Sequence, residues 1–280
     1  MDLRRADLHT HTSHSDGMLT PMALVKKARE YGLKALAVTD HDCLEGLAEA
    51  KAEGARIGID VISGVELSIN VGEVEVHLLG YFFDAENPGL NAYLGEYKYL
   101  RLERGQAIVS RLNDLGLSLS FDDVLSTAGH GVIGRPHVAR ALVSAGLVSN
   151  YVEAFEHYLS DQGPAFVPKA VFPAEDALML LHEAGGVGVL AHPGHWTADA
   201  VLMRLIRAGL DGIETIHPSH DEMITRYYRQ VARDFLLIET GGSDYHGFRE
   251  KDDANFGHFS IPFRQLDRAR RRAEMLHEVV

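Results

Sequence analysis

The 280-residue sequence has a single cysteine, Cys43, which excludes an internal disulfide and suits a reducing compartment. It has no apolar run of about 18 residues, so no bilayer-spanning helix is expected. No apolar stretch follows Met1-Asp2-Leu3-Arg4-Arg5-Ala6-Asp7, so a secretory signal is not expected and a cytoplasmic location is. Cationic residues are in deficit. Against 40 Asp and Glu there are 27 Lys and Arg, and the net charge of −13 argues against a broad nucleic-acid surface, duplex DNA included. A small phosphorylated substrate is still compatible, because bound metal ions can supply positive charge locally. Internal repeats and low-complexity tracts are lacking, and a composition 46% hydrophobic and 24% charged excludes disordered and fibrous classes. The length suits one α/β barrel-like domain, or one domain carrying an insert. What is abundant is histidine, at sixteen copies. With many carboxylates and almost no thiol, this points to hard or borderline metal ions held by nitrogen and oxygen.

Strand and helix signals alternate over the first eighty residues. Ala6-Asp7-Leu8-His9 reads as a short buried strand. Thr20 and Pro21 open a helix with Leu24, Val25 and Ala28 on one face, and Gly32 closes it. Ala35 to Thr39 is an apolar run of strand length, as in a parallel strand buried on both faces. A helix from about Leu44 to Ile57 stops at Gly58, and Val61 to Glu66 is a third strand. Leu67 to Leu79 reads as a hairpin turning near Val71-Gly72. From about Pro88 to Tyr158 the helical period dominates, through Leu94, Tyr97, Ile108, Leu112 and Leu115. Gly163 to Pro168 is an extended return. Alternation then resumes, with strands at Val187–Ala191, Gly212–Ile216 and Leu236–Thr240 and a C-terminal helix. The expected architecture is α/β with a parallel sheet, closed or nearly closed. Residues 1–87 and 164–280 would form the barrel, and 88–163 a helical insert over its mouth.

Position makes the histidines informative. His9 and His11 leave strand one, with Asp16 in the loop beyond. His41 follows strand two and Glu66 ends strand three. His77 lies on the returning hairpin arm, His192 follows a later strand, and Asp244 and His246 follow the last. In a parallel barrel these nine groups converge on one face, where convergence reads as catalysis. Each has an ordinary reading too. A His-x-His pair is expected by chance about once in such a chain. Asp40 and Asp42 read more readily as helix caps than as ligands. His77 could be a satisfied core histidine, and His130, His157, His182 and His277 are assigned to the surface or to helix faces. Glu66 is the unusual case, since an unpaired buried carboxylate is very costly.

The segments His9-Thr10-His11, Asp16-Gly17, Thr39-Asp40-His41-Asp42, Gly64-Val65-Glu66, His77, Ala191-His192-Pro193-Gly194 and Gly242-Ser243-Asp244-Tyr245-His246 resemble the PHP (polymerase and histidinol phosphatase) phosphoesterases. The match runs in order over nearly the whole chain. Within that family it is most similar to the 3′,5′-nucleoside bisphosphate phosphatase and RNase AM subgroup, through the helical insert, Arg101-Leu102-Glu103-Arg104, Arg135-Pro136-His137 and Pro218-Ser219-His220. The resemblance implies a distorted (β/α)₇ barrel holding two or three divalent ions. His9, His11, Glu66 and Asp244 would hold one ion, with Glu66 bridging to a second. Asp16, His41, His77, His192 and His246 would complete the remaining sites. A further carboxylate or thiol that some relatives place between the later motifs has no clear equivalent here.

Imidazole and carboxylate donors suit manganese, iron or zinc without choosing among them, and manganese is the first expectation. Two ions roughly 3.5–4 Å apart could share a hydroxide that attacks phosphorus in line. His192 and Asp244 are the expected catalytic residues, with His192, His195 or water as the source of the leaving-group proton. Arg135 could fork a phosphate, with His137, His195 or His220 adding donors and Arg101 and Arg104 nearby. Arg135 also has an ordinary reading as a surface ion pair, and Arg101 and Arg104 read more readily still as solvent-facing helix residues. The expected substrate is a nucleoside 3′,5′-bisphosphate losing its 3′-phosphate, or a short 5′-phosphorylated RNA trimmed from its 5′ end. A histidinol-phosphatase-type monoesterase, an amidohydrolase-like C–N hydrolase and a non-catalytic module are the alternatives. Oligomeric state is not legible.

Overall fold

The computed structural model describes residues 4–129 and 131–277, so His130 lies outside the described residues. Its elements follow the apolar runs and caps. β1 (Arg5–Asp7) and β2 (Ala35–Val38) flank helix α1 (Pro21–Glu30). Thr20 caps α1 by accepting from the Ala23 amide, ahead of Pro21 at the first turn. α2 (Leu47–Ile57) ends on Gly58 at φ 77°, a left-handed cap that glycine adopts without a Cβ penalty. β3 (Asp60–Val71) and β4 (Val74–Tyr81) form the hairpin about Gly72.

The middle of the chain is helical: α3 (Pro88–Asp114), α4 (Phe121–Ala128), α5 (Arg135–Ser144), α6 (Tyr151–Ala154) and a π-helical turn at Phe155–Leu159. These helices share their own apolar cluster around Ile108, Leu112, Val124, Val138, Leu142 and Leu159. Leu115, expected on the buried face of α3, is the C-cap residue and is exposed. Then follow α7 (Ala174–Glu183), β5 (Val187–Leu190), α8 (Asp199–Arg207), β6 (Gly212–Ile216), α9 (Glu222–Asp234), β7 (Ile238–Gly241), α10 (Asp252–Asn255), β8 (Ile261–Pro262) and α11 (Phe263–His277). No helix among the described residues is long and apolar enough to cross a membrane.

The sheet order is β7-β6-β5-β4-β3-β2-β1-β8. It is mixed, which corrects the expectation of a parallel sheet. β4 runs antiparallel to both β3 and β5, and the short β8 runs antiparallel to β1. The hairpin reverses the chain once, and the long helical excursion between β4 and β5 restores the original direction. The barrel nearly closes where the segment after β1 meets the segment after β7. There the Leu8 amide donates to Gly241 O at 3.1 Å and the Asp244 amide to His9 O at 2.9 Å. Gly242 is required at this seam, since a Cβ would fall 2.4 Å from the His9 nitrogen. Small residues line the inside, Ala35 and Ala37 facing Ala6, Val187 and Val189, while Leu36 and Val38 face the outer helices. This alternation is why β2 is buried along its whole length.

Candidate metal centre and phosphate pocket

Strand ends deliver the polar groups. Asp42, His192 and Asp244 all hold positive φ (50°, 25° and 51°) just beyond strands, a strained conformation that needs surrounding support. Asp40 and Asp42 provide some of it, and they do not cap α2, which correct the capping reading. Asp40 accepts from the Thr12 amide, the Thr12 hydroxyl and the Ser15 hydroxyl, tying down the loop that carries Asp16. Asp42 accepts from the Ser68 amide and from Arg101. Gly46 stands at the α2 N-cap instead.

All nine ligand-type residues converge. Glu66, 1% exposed, is the hub. Its Oε2 lies 3.0 Å from His9 Nε2, 3.1 Å from His11 Nε2 and 3.5 Å from His41 Nδ1. Its Oε1 lies 2.7 Å from His77 Nδ1 and 3.1 Å from His192 Nε2. Asp244 Oδ1 sits 3.2 Å from His11 Nε2 and 3.5 Å from both His9 Nε2 and His246 Nδ1. Asp16 Oδ1 lies 3.1 Å from His246 Nε2. His77 reaches this face although β4 is reversed, because it lies near the start of the antiparallel strand, opposite Ser68.

Hydrogen bonding alone does not account for this packing. A carboxylate offers about four lone-pair positions, yet five imidazole nitrogens surround Glu66. The tautomer of His9 sharpens the conflict. Its Nδ1 faces both oxygens of buried Glu214 at 3.1 and 3.2 Å and must carry the proton, leaving the bare Nε2 lone pair against Glu66 and Asp244. Only a shared cation or an added proton relieves that contact. Burial opposes charge on Glu66, but His41, His9 and His77 hold its carboxyl well below the usual range. Burial likewise disfavours charged His11, but Asp244 and Glu66 outweigh it and lift the imidazole to about 10. These are the signs expected of a site that takes protons when it has no metal. The atoms fall into groups of metal-binding span: His9, His11, Glu66 and Asp244; His41, Glu66 and His77; His11, Asp16, His41 and His246; and His9, Glu214 and His217.

Sequence reasoning missed Glu214 and His217. Glu214, on β6 and fully buried, accepts from His9 and from the His192 amide at 2.8 Å, so it orients one imidazole and pins the strained turn of another. Glu214→Gln is expected to weaken divalent-ion affinity about 10–100-fold, as loss of such outer support does, read by chelator competition. His217 Nδ1 accepts the Ser219 amide at 3.1 Å, so its Nε2 carries the proton, 3.6 Å from Asp244 Oδ2.

A cationic pocket of about 180 Å³ adjoins Asp16, His41 and His77. Arg101, Arg104, Arg135 and Lys169 line it beside Glu75, whose carboxylate accepts from Lys169 Nζ, and Lys169 was not foreseen. Arg104 donates through Nε to Val167 O at 2.7 Å, and burial and neighbouring Arg135 and Arg101 push it down to about 10. Lys169 is also lowered, by burial and then by Arg101. Arg135 donates to Leu159 O and to exposed Asp161 at 2.6 Å, as in the ion-pair reading, while still lining the pocket.

Of the other expected phosphate ligands, Arg101 and His137 also border this pocket but are held by protein partners, and His220 and His195 do not line it. Arg101 is buried against Asp42 and Ser68. His220 has Nε2 on the Gly194 amide and Nδ1 on Thr215 O, so neither nitrogen is free. His195 is about half exposed beside Asp221 at 3.3 Å. His137 is buried, accepts the Gly134 amide at Nδ1 and donates from Nε2 to Ser15 O at 2.8 Å. Burial, then Arg140, pushes His137 down to about 4. An imidazole kept neutral in the fold contributes stability above its unfolded pKa and loses it as pH falls from about 6.5 toward 4, here by about 3 kcal/mol. His137→Asn is expected to be less stable at pH 7 and to show a shallower loss over that window, measured by denaturant unfolding. Of the histidines assigned to surfaces or helix faces, His157 is exposed and His182 bonds Asp211 Oδ2 at 2.7 Å.

A family model described as the PHP domain matches residues 7–160, the stretch that supplies six of the nine converging residues. The chain belongs to the PHP domain family. A 3′,5′-nucleoside bisphosphate phosphatase from Chromobacterium violaceum is 37% identical over 246 residues, covering 86% of each chain. A 5′-3′ exoribonuclease from Haemophilus influenzae is 34% identical over 249 residues, 87% of this chain and 90% of its own. Among solved structures, a candidate metal-dependent phosphoesterase from Bifidobacterium adolescentis superposes with TM-score 0.82 at 33% identity, covering 88% of each chain. The PHP family and this neighbour accord with a mixed α/β barrel and a metal-dependent phosphoesterase class.

Proposed function

We propose that this PHP protein removes the 3′-phosphate of nucleoside 3′,5′-bisphosphates and trims short 5′-phosphorylated RNA from its 5′ end. The observation that carries this reading is Glu66 ringed by five imidazoles beside a second, cationic pocket. One of the two relatives is named for 3′,5′-nucleoside bisphosphates and the other for 5′-3′ exoribonuclease activity. The donors suit divalent ions, and the ligand groups, which share His9, His11, His41 and Glu66, would accommodate two or three, manganese being the first to test. The Asp16, His41 and His246 group supplies a third set without a further carboxylate or thiol. When bound, such ions lower the pKa of coordinated water and neutralise charge on phosphoryl oxygens.

The chain's own residues do the rest. Asp244 and Glu66 fix the imidazoles around the reacting phosphate. We assign His217 Nε2–H, beside Asp244, as the donor for the leaving oxygen; His192 Nε2 faces Glu66 and His195 points outward. Arg104, Arg135 and Lys169 would grip the other phosphate, fixing orientation through remote binding energy. An incoming phosphate would compete with Glu75 for Lys169 and with Asp161 for Arg135. In this reading 88–163 is an insert that brings cations to a barrel of net acidic charge. Buried, free Cys43 accords with a reducing cytoplasm, where we place the reaction.

The test is phosphate release by Mn²⁺-loaded protein from mononucleotides, 3′,5′-bisphosphates, histidinol phosphate and short 5′-phosphorylated RNA. Bisphosphates are expected to exceed monophosphates in kcat/KM by about tenfold or more, since a charge-assisted contact contributes about 1.5–3 kcal/mol. Equal turnover of histidinol phosphate would favour a simple monoesterase, and full metal loading without phosphate release a non-catalytic role.

A further inference from the structure

A second cavity, of about 930 Å³, lies behind the loop that carries Asp16 and between that loop and the insert helices. None of the nine converging residues lines it. The wall between the two cavities is the His137–Ser15 hydrogen bond, and both residues border both spaces. On the far side, Arg140 from α5 donates through Nη1 to the Asp16 carbonyl at 3.2 Å. The same Nη1 lies 3.2 Å from Met18 Sδ, and the side chains of Arg140 and His14 border the cleft. The Phe248 ring lies 5.6 Å from the Arg140 guanidinium carbon, and Tyr151 packs on Phe248 at 5.3 Å between centroids, tilted 47°.

A guanidinium edge is a strong donor for a phosphate oxygen, and an aromatic pair beside it offers faces on which a base stacks. The space exceeds what an inorganic anion needs and falls within the range of small-molecule sites, about 300–1,000 Å³. We propose that this cleft is a second nucleotide-binding site, taking a nucleoside monophosphate with its phosphate on Arg140 and His14 and its base against Tyr151 and Phe248. Because Arg140 also holds the Asp16 backbone, an occupant would sit one hydrogen bond from the metal-binding loop. The inference goes beyond the proposed reaction and does not depend on it, since binding here requires no turnover.

Calorimetric titration of Mn²⁺-loaded protein with AMP tests it. Two binding events are expected. Arg104→Met, in the cationic pocket, should leave the cleft event unchanged. Ser144→Trp, at the exposed rim of the cleft, should weaken only the other by tenfold or more while leaving phosphate release at the native rate. Arg140→Lys, which keeps charge but loses the planar fork, should weaken the cleft event severalfold. Adenosine and inorganic phosphate, titrated separately, should each bind there at least tenfold more weakly than AMP. A native titration unchanged by Ser144→Trp would overturn the site, and phosphate binding as tightly as AMP would overturn its assignment to nucleotides.

Discussion

Glu66→Gln is expected to reduce phosphate release by about two to three orders of magnitude, the scale seen when an electrostatic element of a reaction centre is removed, and to lower the bound divalent-ion content. The substitution keeps the shape of the side chain and removes one charge. That charge is what five imidazole nitrogens within 3.5 Å share. An amide offers one oxygen and an NH₂ group, and the NH₂ would face imidazole nitrogens that a metal needs unprotonated. Two of the ligand groups contain Glu66, so both are expected to empty together while Asp16, His41 and His246 keep their geometry. Elemental analysis beside the phosphate assay reads both effects. A variant with native ion content and native rate would remove Glu66 from the centre and end the phosphoesterase reading built on it.

Several features of the fold were legible because local physics fixes them. Thr20 and Pro21 start a helix, Gly58 ends one, and the alternation around Gly72 makes a hairpin, whatever lies elsewhere in the chain. The direction of β4 relative to β5 was not legible, since it depends on how the long helical excursion returns, and no local pattern records that. His77 was nonetheless assigned to the right face, because a hairpin arm that turns back on β3 necessarily passes the end of that strand. Glu214 could have been found by the argument applied to Glu66. It is a carboxylate inside the apolar run Gly212-Ile213-Glu214-Thr215-Ile216, where burial without a partner would be prohibitive. Lys169 gave no such signal, being one cation in an extended segment. Asp40 and Asp42 misled for a physical reason. Their position before a helix suits capping, but the strained loops beside them needed acceptors more, and Gly46 took the cap position.

Arg101 and Arg104 lie three residues apart on α3 and look alike in sequence, but the structure gives them different work. Arg101 reaches Asp42 and donates to Ser68 Oγ at 3.0 Å, and the two charged side chains are 7% and 0% exposed. Removing one member of a buried pair leaves the other uncompensated, so Arg101→Met is expected to cost about 3–5 kcal/mol of stability, seen as a Tm lower by many degrees. Restoring balance with Asp42→Ala in the same chain should recover part of that loss, although the Ser68 amide then lacks its acceptor. Arg104→Met should behave in the opposite way. Arg104 uses Nε on Val167 O and lines the cationic pocket, so its loss is expected to raise KM for bisphosphates about tenfold or more, at about 1.5–3 kcal/mol per charge-assisted contact, with little change in Tm or in KM for monophosphates. The two readouts separate the roles without assuming either. If Arg101→Met raised KM for bisphosphates selectively and left Tm unmoved, the buried pair would be a substrate ligand held in reserve, and the grip on the second phosphate would have to be redrawn around Arg101.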